Sequence, residues 1–260
     1  MKAWSAALLA ACASIASADP WNNAGQFPHF RDVSGLPGCG FGLLVSGLPS
    51  INGALSLSTP IGFAMGHDTF DIGGAARSSD LQPMFPNFTS STHLPSTGQG
   101  YGIVGVTIPN LGNLSATYEV LSSELDQCYN AQLQLPLKWD KGGVSIGCQN
   151  ITDRHNAAAQ GLPGEANLSR SIFGVATYEF SKNDYVSLGY GDVRFKGPFG
   201  NVSVLAAPRL KLTTEYDTFG FNSGVAYSFG GIRGEKNTEL TAWAGLMDEQ
   251  RFTFALNFVF

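Results

Sequence analysis

Arg251-Phe252-Thr253-Phe254-Ala255-Leu256-Asn257-Phe258-Val259-Phe260 alternates without a break. Phe252, Phe254, Leu256, Phe258 and Phe260 fall on one side. Arg251, Thr253, Ala255, Asn257 and Val259 fall on the other. Successive side chains of a strand point to opposite faces, so this period of two predicts a strand. Its apolar face is large and aromatic, more than the edge strand of a secreted sandwich requires. In a membrane barrel the apolar face meets lipid and the polar face lines the interior, and that reading fits the segment.

The same alternation runs upstream. Leu240, Ala242, Ala244 and Leu246 alternate with Glu239, Thr241, Trp243 and Gly245; Phe221, Ser223, Val225, Tyr227 and Phe229 with Asn222, Gly224, Ala226 and Ser228. Leu210, Leu212, Thr214 and Tyr216 alternate with Lys211, Thr213, Glu215 and Asp217, and Leu114, Ala116, Tyr118 and Val120 with Ser115, Thr117 and Glu119. Near the start Phe70 and Ile72 alternate with Thr69, Asp71 and Gly73. Segments of about ten residues suffice to cross a bilayer at a tilt. Tyr101, Tyr118, Tyr216, Tyr227, Phe229 and Phe260 lie toward segment ends, as interfacial girdles do. The count between Gly53 and Phe260 predicts an all-β, antiparallel, up-and-down transmembrane barrel of about 12 strands, with 10 to 14 as the range.

Composition agrees. Only 13% of the residues are charged, about half the usual share of a soluble domain, while 43% are hydrophobic. Disorder is excluded, because it requires low hydrophobicity and high net charge. Fifteen basic against 20 acidic residues exclude a nucleic-acid surface. Lys2, the apolar run Ala3 to Ala13 and the triplet Ala16-Ser17-Ala18 read as a signal peptide, residues 1–18, cleaved after Ala18. A rival is Leu9-Ala10-Ala11-Cys12, which matches a lipobox and would place lipid on Cys12. Residues 19–52 carry Pro and Gly without periodicity and read as an irregular periplasmic or lumenal segment before a barrel of residues 53–260. An exported barrel closing on an aromatic strand implies the bacterial outer membrane. Its lipid and the barrel-assembly machinery are then partners, with Phe252, Phe254, Leu256, Phe258 and Phe260 as the assembly signal.

Short turns at Asp140-Lys141-Gly142, Lys182-Asn183-Asp184 and Asp248-Glu249 are expected on the periplasmic side. The insertions 78–100 and 155–170 are expected as external loops or an inward plug. Cys128 is in step with Asn130, Gln132 and Gln134, and Cys148 with Val144 and Ile146, so the two thiols are expected on opposite faces without a bridge.

No catalytic constellation, metal spacing or cofactor motif stands out. His67-Asp68 and Asp153-Arg154-His155 are the two places where a His adjoins acids, and loop histidines in water explain both. Gly38-Cys39-Gly40-Phe41-Gly42 lacks the Lys-Ser/Thr of a phosphate loop and reads as a turn. More informative are the charges of inward parity: Asp71, Glu119, Glu179, Lys211, Glu215, Asp217, Glu239 and Arg251. A buried charge needs a partner or water. These charges therefore predict a wet or ion-paired lumen, with Lys211 and Arg251 neutralising Glu215 and Glu239 as one arrangement. All of these charges except Glu179, together with Asn222, are the lumen and ligand candidates.

Leu212-Thr213-Thr214-Glu215-Tyr216-Asp217, followed by Phe221-Asn222-Ser223-Gly224-Val225-Ala226-Tyr227, resembles the YjbH-like outer-membrane proteins of exopolysaccharide and group 4 capsule production. Ala244-Gly245-Leu246-Met247-Asp248 and Phe252-Thr253-Phe254-Ala255-Leu256 are similar to that family's last turn and closing strand. The likeness covers roughly residues 130–260; near the start Gly47-Leu48-Pro49-Ser50 lacks the family's Thr-Pro-Thr. The resemblance implies a non-enzymatic barrel that helps polysaccharide reach the surface together with periplasmic export proteins. A general diffusion pore, and a structural or adhesive barrel acting through its long loops, are the alternatives.

Overall fold

The computed structural model describes residues 34–77, 98–120, 127–152, 170–231, 238–247 and 251–260. Its architecture is a closed antiparallel barrel of 12 strands. They are β1 (Thr69–Arg77), β2 (Gly98–Ile108), β3 (Gly112–Val120), β4 (Gln127–Gln134), β5 (Gly142–Gln149) and β6 (Ser171–Ser181), then β7 (Asp184–Gly191), β8 (Gly197–Ala207), β9 (Leu210–Tyr216), β10 (Phe221–Gly230), β11 (Glu239–Met247) and β12 (Arg251–Val259). Each strand pairs with its sequence neighbours, and β1 closes on β12 from Asp71–Val259 to Arg77–Thr253. Phe70 and Phe260 exchange backbone hydrogen bonds of 2.7 and 2.8 Å just outside that register, and their rings meet edge to face. Closure leaves no sheet edge unpaired, which a strand in lipid requires.

Outward residues form the apolar belt that the alternation predicts. Ile72, Ile146, Ile172, Leu188, Phe254 and Leu256 are each at least half exposed, whereas Asp71, Thr253, Asn257 and Val259 are fully buried. An exposed band of this kind around a closed sheet is the signature of a bilayer-spanning, outer-membrane-type barrel. Tyr101 departs from the expected girdle and faces inward. Its partner across the register is Gly73, and a Cβ there would lie 2.3 Å from the Tyr101 ring. The missing side chain makes room for the ring, whose hydroxyl donates to Asn257 Oδ1 at 2.6 Å.

Two boundaries differ from the sequence reading. The first strand begins at Thr69, not near Gly53, because residues 53–66 lack sustained alternation and pack inside the barrel. The two rims also separate the connections differently. Asp140-Lys141 and Lys182-Asn183 join strands at the rim that holds Thr69 and Phe260, here the terminal rim. Met247 and Arg251, which flank Asp248-Glu249, pair at the opposite, distal rim. Those strand ends share the rim where β1 ends and β2 begins, and Asp248-Glu249 itself lies outside the described residues. Residues 153–169 and most of 78–100 lie outside the described residues, as do the signal peptide and Cys12.

Candidate functional site

Inside the barrel lies the chain's own segment 34–66. Leu36, Cys39, Leu43, Leu55, Leu57, Ile61, Phe63 and Met65 have essentially no exposed surface and form one cluster with Phe173, Tyr185, Phe199 and Trp243 of the wall. The segment makes three passes. From Gly35 at the distal rim it runs down to a turn where Leu44 N–H donates to the Leu48 carbonyl. It returns to Ser58 and Thr59 near the distal rim, then descends through Phe63 to His67. Backbone pairing of Leu43 with Ala54 ties the first two passes together. The Gly-rich run is a tight turn in this segment: Gly38 and Gly40 adopt φ of 83° and 81°, where other L residues are strained.

The wall holds this plug through inward polar side chains. Near the distal rim Glu215 accepts from Leu57 N–H (3.0 Å), Ser58 N–H (2.8 Å) and Thr59 N–H (3.2 Å). The hydroxyls of Ser58 and Thr59 add bonds of 2.7 and 2.8 Å. Asn222 on the adjacent β10 donates to the same carboxylate at 2.9 Å, and Asn201 on β8 donates to the Thr59 hydroxyl at 3.0 Å. Asn201, Glu215 and Asn222 share one row of the sheet. A carboxylate is an acceptor with about four lone-pair sites, so converging N–H and O–H donors suit its charge. Beside it, Arg194 pairs with Asp217 at 3.8 Å, both side chains fully buried, and also donates to the Asp217 carbonyl. Across the barrel, Glu119 accepts from Gly35 N–H and from Asn130.

A second set of contacts holds the terminal rim. Lys211 donates to the carbonyls of Gly53 and Asn183, with its ammonium 4.8 Å from the Tyr185 ring centroid. Glu239 accepts from Ile51 N–H at 2.8 Å, and Asn113 and His67 both reach the Ser46 carbonyl. Between the rims, Gln132 donates to the Ile61 and Phe63 carbonyls, and Thr177 accepts from Gly62 N–H. Cys39, within the plug, has its thiol pushed up to about 12 by burial.

The inward candidates therefore fall into different roles. Glu119, Lys211, Glu215, Asn222 and Glu239 hold plug groups directly, and Asp217 does so beside Arg194. Lys211 does not neutralise Glu215: the carboxylate is occupied by plug donors and the ammonium by carbonyls. Asp71 is fully buried on β1, and neither of its oxygens has a hydrogen-bond partner among the described residues. Glu179 is half-buried and accepts from Asn183 N–H at the terminal rim. The side chain of Arg251 and the residues around His155 lie outside the described residues. Parity alone missed Arg194, in the β7–β8 connection, and Ser58 and Thr59, which sit in the aperiodic segment. The adjoining hydroxyls of Ser56-Leu57-Ser58-Thr59 were the available signal. Among the described residues Cys39, Cys128 and Cys148 form no disulfide; Cys128 faces the lumen and Cys148 lies on the outer parity.

No family model and no curated protein matches the chain. Among solved structures it is similar to the KdgM porin, with 8% identity over 74% of this chain and 98% of that one, at a TM-score of 0.46. It is also similar to the Salmonella typhi outer membrane phospholipase, at 12% identity over 74% and 90% with a TM-score of 0.41. A mutant Rh. blastica porin follows at 11% over 62% and 55%, TM-score 0.34. These are likenesses of barrel fold between distant sequences.

Proposed function

We propose that the chain is a non-enzymatic outer-membrane barrel that carries its own plug and serves polysaccharide production or export as an accessory. The supporting observation is where the resemblance falls. Leu212 to Asp217 and Phe221 to Tyr227 form the β9–β10 hairpin, whose inward Glu215 and Asn222 grip residues 57–59. The motif that resembles the YjbH-like proteins is thus the plug-holding part of the molecule, not an arbitrary piece of wall. Periplasmic export proteins would then meet the terminal rim or the plug turn near Ser46.

The alternative, a diffusion pore for small solutes, has its own support in the wall chemistry. Ser115, Thr117, Ser145, Ser187, Ser203 and Thr241 point inward, a lining suited to water once the plug leaves. The polysaccharide reading is tested in a deletion strain with its complemented counterpart, by measuring surface and secreted polysaccharide. Loss restored by the complementing copy supports it; unchanged polysaccharide in the deletion strain removes it.

A further inference from the structure

Ten buried side-chain nitrogen and oxygen atoms have no hydrogen-bond partner among the described residues, and every one belongs to the wall. They are both oxygens of Asp71, Gln132 Oε1, Ser145 Oγ, both amide atoms of Gln149, Asn201 Oδ1, Thr241 Oγ1, Trp243 Nε1 and Asn257 Nδ2. None belongs to residues 34–66. Five of the ten sit on the β11–β12–β1 wall. There the register places Asp71 beside Val259 and Glu239, and Gly73 beside Asn257 and Thr241. Apart from the bonds of Thr69 to the Gly66 carbonyl where the segment leads into β1, the described hydrogen bond from the plug to that sector is Ile51 N–H to Glu239.

This asymmetry has a physical meaning. A segment that is simply the core of the barrel would be matched by a wall whose polar groups it satisfies, since an unpartnered buried polar group costs the full loss of its hydration. Here the wall is polar beyond what the plug uses, so plugging dehydrates groups that water would satisfy. Opposing that cost is the apolar cluster of Leu36, Leu43, Leu55, Leu57, Ile61 and Phe63, which displacement would expose. At the distal end Glu215 takes the largest share of the polar attachment, five bonds from three consecutive residues, beside single bonds between Glu119 and Gly35, Asn201 and Thr59, and Arg194 and Ser58. Two opposed terms joined through one dominant latch make a bistable element.

We propose that residues 34–66 are a displaceable plug latched by Glu215, and that the molecule is a gated pore favouring small cations and neutral polar solutes. The closed state dominates because of the apolar cluster, so the native chain opens rarely and briefly. The selectivity follows from the described wall: Asp71, Glu119, Glu215 and Glu239 face inward against Lys211, while Arg194 at the distal rim is held by Asp217. A lining of one predominant sign concentrates the opposite ion. This inference does not depend on the polysaccharide reading, because conductance is measured on the purified chain.

The test is single-channel recording of the purified full-length protein in planar bilayers under a KCl gradient. Wild type should be closed most of the time. Glu215→Ala, and more mildly Glu215→Gln, should raise the open fraction at least tenfold with a cation-selective reversal potential. A paired variant, Ser58→Cys with Asn222→Cys, places thiols on two facing side chains whose Oγ and Nδ2 atoms are 3.4 Å apart. Oxidised, it should be silent; reduced, it should open more often than wild type. The unboiled-against-boiled gel shift confirms that each variant is a folded barrel. Folded Glu215 variants as closed as wild type, or an oxidised pair that conducts like the reduced one, would overturn the gate. Anion selectivity would overturn the assigned lining.

Discussion

A single carboxylate carries more of the interior's order than any other described side chain. Glu215 receives the N–H groups of Leu57, Ser58 and Thr59, two hydroxyls and the Asn222 amide. Hydrogen bonds to a charged group are worth about 1.5–3 kcal/mol each, and bonds sharing one acceptor are not additive. Glu215→Ala leaves several donors dry and should cost about 3–5 kcal/mol of plug stability, in the range for breaking a buried charged network. Glu215→Gln keeps an acceptor and should cost less. The check is proteolysis of the folded barrel in detergent: cleavage within 34–66 should accelerate in the order wild type, Gln, Ala. Cys39 gives an independent readout at the same scale. Its thiol makes contacts with Ser34 and Ser56, and burial raises it to about 12, so at pH 8 almost no thiolate is present. Maleimide should leave Cys39 unlabelled in the folded wild type and label it when Glu215→Ala releases the plug. The sign of the pH dependence follows: the neutral thiol contributes no penalty below its ordinary pKa near 9. Stability falls as pH rises from there toward 12, because the unfolded chain ionises first.

At the scale of elements, the strands were legible and the plug was not. β9 to β12 follow the alternation, and in β9 and β10 the assigned faces match the observed burial except at Thr214, which is buried although it falls in the outward set. Period two survives in sequence because lipid on one side and a polar interior on the other impose it at each position. Residues 34–66 are bounded by the wall on all sides, so no periodic face is imposed and the sequence there looks like loop. Its buried Leu and Ile residues are spaced by turns rather than by a strand or helix period. Even so, half of the site was visible: parity placed Glu215, Asn222 and Lys211 inward, but could not name plug backbone as their partner, since backbone donors have no sequence signature. Tyr101 went astray for a related reason: its ring lies inward over Gly73, its partner on the neighbouring strand, and that pairing cannot be read from Tyr101's place near a segment end. The last element makes its own prediction. Phe260 closes the seam with two backbone bonds and a ring contact to Phe70. Removing Phe260 should lower the yield of folded barrel in the outer-membrane fraction several-fold, while Phe258→Tyr, which keeps an outward aromatic, should leave it near wild type.

For the whole molecule the question is whether the plug is a lid or the core. The barrel's backbone is satisfied by its own ladders: each of the 12 strands pairs on both sides, and none of those bonds involves residues 34–66. Closure therefore does not depend on the plug, whereas the inward aromatics do. Phe173 and Phe199 pack with Phe195 on one wall, while Trp243 lies over Gly224 and Gly245 on another; Phe63 of the plug meets Tyr185 edge to face. Without the segment those faces meet water, a loss of roughly 25 cal/mol per Å² of apolar surface, while the ten dehydrated wall atoms regain partners. Removal of residues 34–64 should then leave a barrel that still shifts on boiling, with its transition displaced to lower temperature. Because the turn at His67 and Asp68 and all of β1 remain, registry at the seam is unaffected. A band that no longer shifts would make the segment an obligatory core and would weigh against a plug that leaves. A shift kept at the wild-type temperature would mean that wetting the wall offsets the whole of the lost apolar burial.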